Sequence, residues 1–325
     1  MSASLKEDSR LSSPPIVAEG LERLGYIASP SVATSVYVAA ALEKPLLVEG
    51  PAGVGKTELA KAPAQLLGKP LIRLQCYEGL DEARALYEWK YGKQLLYVQL
   101  LKDKIAELTA GTRTLEQALA AIHAQDELFF SKDFLEPRPL LQALQVPGGA
   151  VLLVDEVDKA DPEFEALLLE VLSDFQVTIP ELGTIAAAAT EKPLVLLTSN
   201  RAREMGDALR RRCLHLYLTF PDTALEERIV AAQVPECTAR LRAQLVAFVH
   251  ALRQLDLRKL PAVSETIDWA RTLVLLHADQ LEWNLVQDTL NVLLKFQEDA
   301  EQVLPQGLRL VQESCRDGPH AALVR

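Results

Sequence analysis

Cysteine is scarce and scattered in this sequence. Cys76, Cys213, Cys237 and Cys315 form no C-x-x-C pair, which argues against a zinc site and against a disulfide framework. A reduced, cytoplasmic setting is the expectation. Long apolar runs are missing too, since no stretch approaches the roughly eighteen continuous apolar residues of a membrane span. Met1 to Pro15 is polar and lacks the apolar centre of a secretory leader, so export is not expected. Positive charge is in deficit, with 34 Lys and Arg against 45 Asp and Glu and a net of −11. That balance argues against a surface that passively coats nucleic acid and favours protein partners. Internal repeats and low-complexity tracts are absent. What the chain does have is length: 325 residues suffice for one large or two ordinary domains whose cores need no cross-link.

One stretch organises the rest. Gly50-Pro51-Ala52-Gly53-Val54-Gly55-Lys56-Thr57 satisfies G-x-x-x-x-G-K-[ST] at every fixed position. Its flanks are those a phosphate-binding loop needs. Pro45-Leu46-Leu47-Val48-Glu49 is a dense apolar run suited to a buried parallel strand, and Glu58-Leu59-Ala60-Lys61 continues as helix-forming sequence. The glycines let successive backbone N–H groups turn inward, and the helix N-terminus adds partial positive charge. Lys56 is expected to stand as a surface charge until it meets β- and γ-phosphates, and the Thr57 hydroxyl to bind Mg²⁺.

Further acids and arginines follow at strand ends. Val151-Leu152-Leu153-Val154 reads as a strand that runs into Asp155 and Glu156. Beside a phosphate loop the first acid is suited to Mg²⁺ and the second to polarising a water. Leu194-Val195-Leu196-Leu197-Thr198 is another buried strand and stops at Ser199-Asn200, where Asn200 would lie beside the acids if the strands are parallel neighbours. Arg201, Arg203, Arg210, Arg211 and Arg212 then precede a last apolar strand, Leu214 to Leu218, and an arginine there is placed to reach a neighbouring subunit's nucleotide. Asp161-Pro162 reads as an N-cap with proline opening a helix. Val177 to Ile185 reads as a hairpin.

Elsewhere the expectations are coarser. Residues 1–15 read as a flexible terminus, with Pro14-Pro15 closing it. Leu71-Ile72-Arg73-Leu74 reads as a second strand, and Pro63 should kink the helix before it. Asp81 to about His123 reads as helical, its Trp/Tyr cluster serving either as core or as a loop that grips a substrate. Beyond Phe220-Pro221-Asp222 everything reads helical: Thr223 to Ala232, Glu236 to Leu255, Ser264 to Ala278 and Glu282 to Glu298. Strands alternating with helices, then helices alone, divide the chain into an α/β nucleotide-binding core over 16–221 and an all-helical part over 222–325.

With phosphate loop, Asp-Glu strand, Asn-ended strand and arginine run in this order, the chain resembles the AAA+ ATPases over roughly residues 16–300. Leu47 to Pro51, Leu152 to Ala160 and Ala208 to Cys213 resemble the MoxR type. Gln75 to Ala83, Leu86 to Trp89 and Leu260 to Thr266 are similar to CoxD-like accessory ATPases, which are linked to maturation of carbon monoxide dehydrogenase and related molybdenum hydroxylases. The resemblance implies an α/β P-loop NTPase core with a five-stranded parallel sheet and a C-terminal helical lid. It implies ATP and Mg²⁺ as cofactors, ATP hydrolysis, and assembly into a homo-oligomeric, hexameric ring. A partner with a von Willebrand factor A domain and a client metalloenzyme are implied as well. Nucleotide contacts then fall to Gly50, Pro51, Ala52, Gly53, Val54, Gly55, Lys56, Thr57 and Glu58, and metal to Thr57 and Asp155. Glu156 becomes the catalytic acid, Asn200 the first sensor, and Arg212 or Arg211 the arginine finger. One departure stands out: the second-sensor arginine position is Thr266 here, and the nearest arginine is Arg271.

Two other readings share the phosphate loop. A nucleic-acid motor would need basic residues on the hairpin, yet 176–189 holds an acid and no Lys or Arg. A small-molecule kinase needs no arginine run and no helical second part, and the related nucleotide switch that never turns over would tolerate loss of Glu156, which is present.

Overall fold

The computed structural model describes residues 8–100, 131–180 and 182–316. The sequence expectations for 1–7, for helix over 101–123, for the acid at 181 and for 317–325 lie outside the described residues. The chain opens with two helices, α1 (Pro14–Arg23) and α2 (Pro30–Leu42). β1 (Leu46–Glu49), α3 (Lys56–Leu67) and β2 (Leu71–Gln75) follow. Next come α4 (Glu82–Ala85), β3 (Tyr87–Trp89), α5 (Tyr91–Leu100), β4 (Leu135–Pro137) and α6 (Pro139–Gln145). β5 (Val151–Asp155), α7 (Pro162–Asp174), β6 (Gln176–Ile179), β7 (Gly183–Ala186) and β8 (Leu194–Ser199) continue the chain. α8 (Asp207–Arg212) and β9 (Leu214–Tyr217) end the α/β part. Six helices complete the described chain: α9 (Thr223–Gln233), α10 (Ala239–Leu252), α11 (Val263–Leu275), α12 (Trp283–Leu293), α13 (Gln297–Val303) and α14 (Gly307–Arg316).

Five strands form one parallel sheet in the order β2-β5-β8-β1-β9. The three central strands are buried at every residue, as strands covered on both faces must be. Period-two alternation then sorts their side chains. Leu47, Leu152, Val154, Val195 and Leu197 pack with α6 and α7 on one face. Leu46, Val48, Val151, Leu153, Leu194 and Leu196 pack with α1, α2 and α3 on the other. A third cluster, running from Val230 to Val311 around Phe248 and Trp269, holds the last helices together. The fold is thus α/β with a five-stranded parallel sheet and a helical C-terminal region. No helix of the described residues is long and apolar enough to cross a membrane.

Several local readings are revised. Structure starts earlier than Ile16: Leu11 is buried, Arg10 donates to the Leu66 carbonyl, and Pro14-Pro15 open α1 as its first residues. The helical reading beyond Asp81 gives way at Tyr87–Trp89, which pairs antiparallel with Leu135–Pro137. Aromatic residues suit such a pair, and Trp89 and Leu86 are core, whereas Tyr91, Leu95 and Leu96 are exposed. α3 runs through Pro63 without a break. Asp161 does sit at the N-cap of α7, but its side chain makes no cap bond and accepts instead from the Gly79 amide at 3.0 Å. The expected helix over 282–298 is two, α12 and α13.

Candidate functional site

The C-terminal ends of β1, β5 and β8 converge, and the sequence motifs sit there. Gly50 leaves β1 with a φ of 152°, and a Cβ on it would stand 2.2 Å from the Leu218 carbonyl oxygen. Gly53, at φ +75°, lies so close to the start of α11 that a Cβ would meet that of Ala262 at 2.3 Å. Neither position admits a side chain. Lys56, first residue of α3, is 7% exposed, not the surface charge expected from sequence. Its ammonium turns back into the loop and donates to the carbonyls of Gly50 at 2.7 Å and Pro51 at 2.6 Å. Burial pulls its pKa down against the opposing pull of Asp158, Asp155 and Glu156.

The two acids are tightly dressed. Asp155 is buried, and both its oxygens lie 3.3 Å from the Thr57 hydroxyl. It also accepts from the Thr198 hydroxyl and, at 2.6 Å, from Arg73 Nη2. Glu156 occupies the left-handed region, φ 56° and ψ 48°, a conformation that costs a non-glycine residue on the order of 1–3 kcal/mol and recurs at functional sites. Its amide donates to Thr198 Oγ1 at 2.9 Å. Its carboxylate takes Lys159 Nζ at 2.7 Å, Gln75 Nε2 at 2.9 Å and Asn200 Nδ2 at 3.4 Å. Asp158 ties β5 to β8 by accepting from the amides of Asn200 at 3.2 Å and Ala202 at 2.8 Å. Asn200 therefore lies beside the acids, as parallel neighbouring strands require.

The arginines separate into distinct environments. Arg203 is bound to Glu165 and to the Ala160 carbonyl, and Arg210 stands 4.0 Å from Glu49. Arg211 and Arg212 are exposed and do not line the cleft, Arg212 reaching the Ser173 hydroxyl. Arg271 does line it, beside Asp268 at 3.4 Å. Ala52 through Glu58 line it as well, while Gly50 and Pro51 do not and hold Lys56 through their carbonyls.

The cleft itself measures about 880 Å³ and opens between the loop on one side and α9 and α11 on the other. Tyr26, Ile27, Ile229 and Ile267 contribute apolar lining of the kind a planar ring can pack on. Burial raises the Tyr26 hydroxyl's pKa, with Glu58 adding to it. Behind α9 and α11 lies a network no sequence motif announced. Glu226, 0% exposed, accepts from Arg253 Nη1 at 2.5 Å and Nη2 at 2.8 Å, from His250 Nε2 at 2.8 Å and from Thr266 Oγ1 at 2.7 Å. Arg253 also stacks on Phe220, 4.6 Å from its ring centroid, and donates to the Pro261 carbonyl at 2.8 Å.

The residues fit a magnesium–nucleotide pair. Thr57 and Asp155 offer hard oxygens facing one another at 3.3 Å, the sparse protein ligation Mg²⁺ takes when phosphates and water complete its shell. Among the described residues no group of three or more His, Cys, Asp or Glu stands ready to enclose a metal unaided. Arg73, Gln75, Asp158, Lys159 and Thr198 were not singled out from sequence. The signal for the first two was there, since polar residues at 73 and 75 share one face of a strand otherwise apolar.

Comparison with known proteins gives four findings. The family described as AAA domain (dynein-related subfamily) matches residues 45–213, just over half of the chain. The chain is 27% identical over 228 residues to the denitrification regulatory protein NirQ of Stutzerimonas stutzeri, covering 68% of each. It is 33% identical over 153 residues to chaperone protein ClpB 2 of Parasynechococcus marenigrum (strain WH8102), covering 47% of this chain and 13% of that one. Among solved structures, the Thermotoga maritima RuvB Holliday junction branch migration motor aligns with a TM-score of 0.45 at 17% identity, over 90% of this chain and 76% of that one.

Proposed function

The chain belongs to the AAA domain family, dynein-related subfamily, and from that membership we infer that it binds Mg·ATP in the cleft and hydrolyses it to ADP and phosphate. The observation that carries this is the convergence of Lys56, Thr57, Asp155, Glu156 and Asn200 at the ends of β1, β5 and β8. Loop amides and Lys56 hold the β- and γ-phosphates once the ammonium leaves the Gly50 and Pro51 carbonyls. Thr57 and Asp155 hold Mg²⁺, which neutralises charge on the phosphates. Glu156 polarises the attacking water and Asn200 orients it. Arg212, with Arg211 as second candidate, serves a neighbouring subunit's nucleotide, and Arg271 approaches from α11. Residues 222–325 act as the lid of a core spanning 16–221, and residues 1–15 lead into it.

The output we propose is mechanical work on another protein in the cytoplasm, performed by a ring of six copies. Relatives named as a chaperone and as a denitrification regulatory protein support it. So does the β6–β7 hairpin, whose described residues carry no Lys or Arg with which to grip nucleic acid. The resemblance to MoxR-type and CoxD-like ATPases extends the proposal to maturation of a metalloenzyme beside a partner with a von Willebrand factor A domain.

Glu156→Gln tests the core of this. Binding of ATP should persist while phosphate release falls by about 10²-fold or more. Parent-rate hydrolysis by the variant would remove Glu156 from the reaction, and absence of ATP binding by the parent would remove the whole reading.

A further inference from the structure

We propose that Arg73 is a built-in counter-ion of Asp155, which keeps the metal position unfavourable to divalent cations until nucleotide brings phosphate charge into the cleft. This rests on reading the cleft as a magnesium–nucleotide site.

The argument begins with Asp155, whose side chain is 4% exposed. A carboxylate so buried must be matched by charge or hydrogen bonds, because an uncompensated charge is costly there. Its hydroxyl partners, Thr57 and Thr198, carry no charge. Lys56 does not pair with it, being held by the loop carbonyls. Among the described residues Arg73 is its one salt-bridge partner, at 2.6 Å.

Placement explains why this arginine and no other reaches it. β2 is the edge strand beside β5, with Gln75 opposite Asp155 and Arg73 opposite Leu153. Residues 73 and 75 therefore point to one face, and both meet the acids: Arg73 takes Asp155 and Gln75 takes Glu156. The guanidinium's other contact through Nη2 is Gln75 Oε1 at 2.7 Å, and its side chain is 51% exposed. It is anchored well enough to neutralise Asp155 and lies far enough in water to swing out at small cost.

Two cations cannot share one carboxylate without repulsion. A divalent ion entering between Thr57 and Asp155 meets a guanidinium already matched to that charge, so little is gained. Phosphates in the loop change the balance, since they attract both cations and let Arg73 leave the acid. Metal and nucleotide are thereby made to enter together, with Arg73 setting the coupling.

Mn²⁺ followed by electron paramagnetic resonance is the probe, titrated into the full-length protein without nucleotide. Arg73→Gln should bind one Mn²⁺ about tenfold more tightly than the parent, one guanidinium's repulsion being removed at short range. Arg73→Lys, which restores a charge on a long side chain, should return most of the suppression. Arg73→Met is the second neutral variant, in case the glutamine amide itself donates to Asp155. Equal nucleotide-free Mn²⁺ affinity in the parent and both neutral variants overturns the proposal whatever the nucleotide does. A separate titration with ADP distinguishes the two levels: loss of ADP binding by the parent strikes the site reading, while intact ADP binding with unchanged Mn²⁺ affinity strikes Arg73 alone.

Discussion

Replacing Arg253 with methionine should destabilise the helical part of the protein severely. The Arg253 side chain is 5% exposed and gives two charged hydrogen bonds to Glu226, which has no solvent exposure at all. Methionine keeps length and packing but removes the charge and every donor. Taking one partner from a buried pair costs about 3–5 kcal/mol. Glu226 would retain His250 at 2.8 Å and Thr266 at 2.7 Å, which places the loss near the lower end, about 3 kcal/mol. Glu226→Leu should cost a similar amount by stranding the guanidinium. The double variant Glu226→Leu with Arg253→Met buries no charge, and its cost should fall well below the sum of the singles. Urea unfolding read by tryptophan fluorescence measures this, since Trp269 lies in the same cluster, 5.5 Å from Phe248. A single-variant loss under about 1 kcal/mol, or a double variant as costly as the sum, refutes the reasoning. The pH sign follows from Glu226. Burial alone would raise its pKa, but hydrogen bonds from His250 and Arg253 and the charge of Arg253 leave it below the ordinary 4.5. Its contribution is therefore complete above about pH 4.5 and lost as pH falls through the folded-state value, so parent and Arg253→Met should converge in acid.

Lys56→Ala should abolish ATP binding in a calorimetric titration, and because it also frees the Gly50 and Pro51 carbonyls, stability should shift by about 1–3 kcal/mol; undiminished affinity removes the loop from the site. Pro63→Ala restores a helix-interior hydrogen bond worth up to about 3 kcal/mol but gives up two buried methylenes at about 0.8 kcal/mol each, so the unfolding midpoint should rise modestly. An unchanged or lower midpoint means Pro63 is needed for packing. Arg212→Ala and Lys56→Ala proteins, each inactive, should hydrolyse ATP when mixed, because the second lends its arginine to the first; mixed rings seen by light scattering yet inactive at every ratio reject the trans assignment.

What was legible in the sequence was whatever one strand or one motif decides alone. Val151 to Asp155 and Leu194 to Ser199 announce themselves as buried parallel strands because both faces are covered, and the phosphate loop because its glycines are dictated by backbone geometry. Less legible was anything that two distant segments make together. Tyr87 to Trp89 read as helix because its partner strand begins at Leu135. Arg73 and Gln75 showed only as two polar residues on one face of an apolar strand, and nothing nearby named their targets, which are 82 and 81 residues away. Lys56 read as a surface charge because nothing in a motif says where an ammonium rests without phosphate.

Thr266 shows how a departure from pattern changes meaning once neighbours are known. In sequence it is the position where an arginine is missing, and Arg271 is the substitute farther along the helix. In the structure Thr266 has no solvent exposure, and its hydroxyl completes the shell of Glu226. The cation is not missing from this region; Arg253 supplies it from the C-cap of α10, with Nη2 3.4 Å from Thr266 Oγ1 and its guanidinium on Phe220 at the cleft wall. An arginine at 266 would bring a second guanidinium into a space already filled by the first, with one carboxylate between them. A threonine is what that geometry admits. The charge that other arrangements would aim at phosphate is here spent on holding α9 and α11 together, the two helices that face the phosphate loop across the cleft. Arg271, five residues farther along α11, half-exposed and paired with Asp268 at 3.4 Å, is left out of the buried network and faces the cleft.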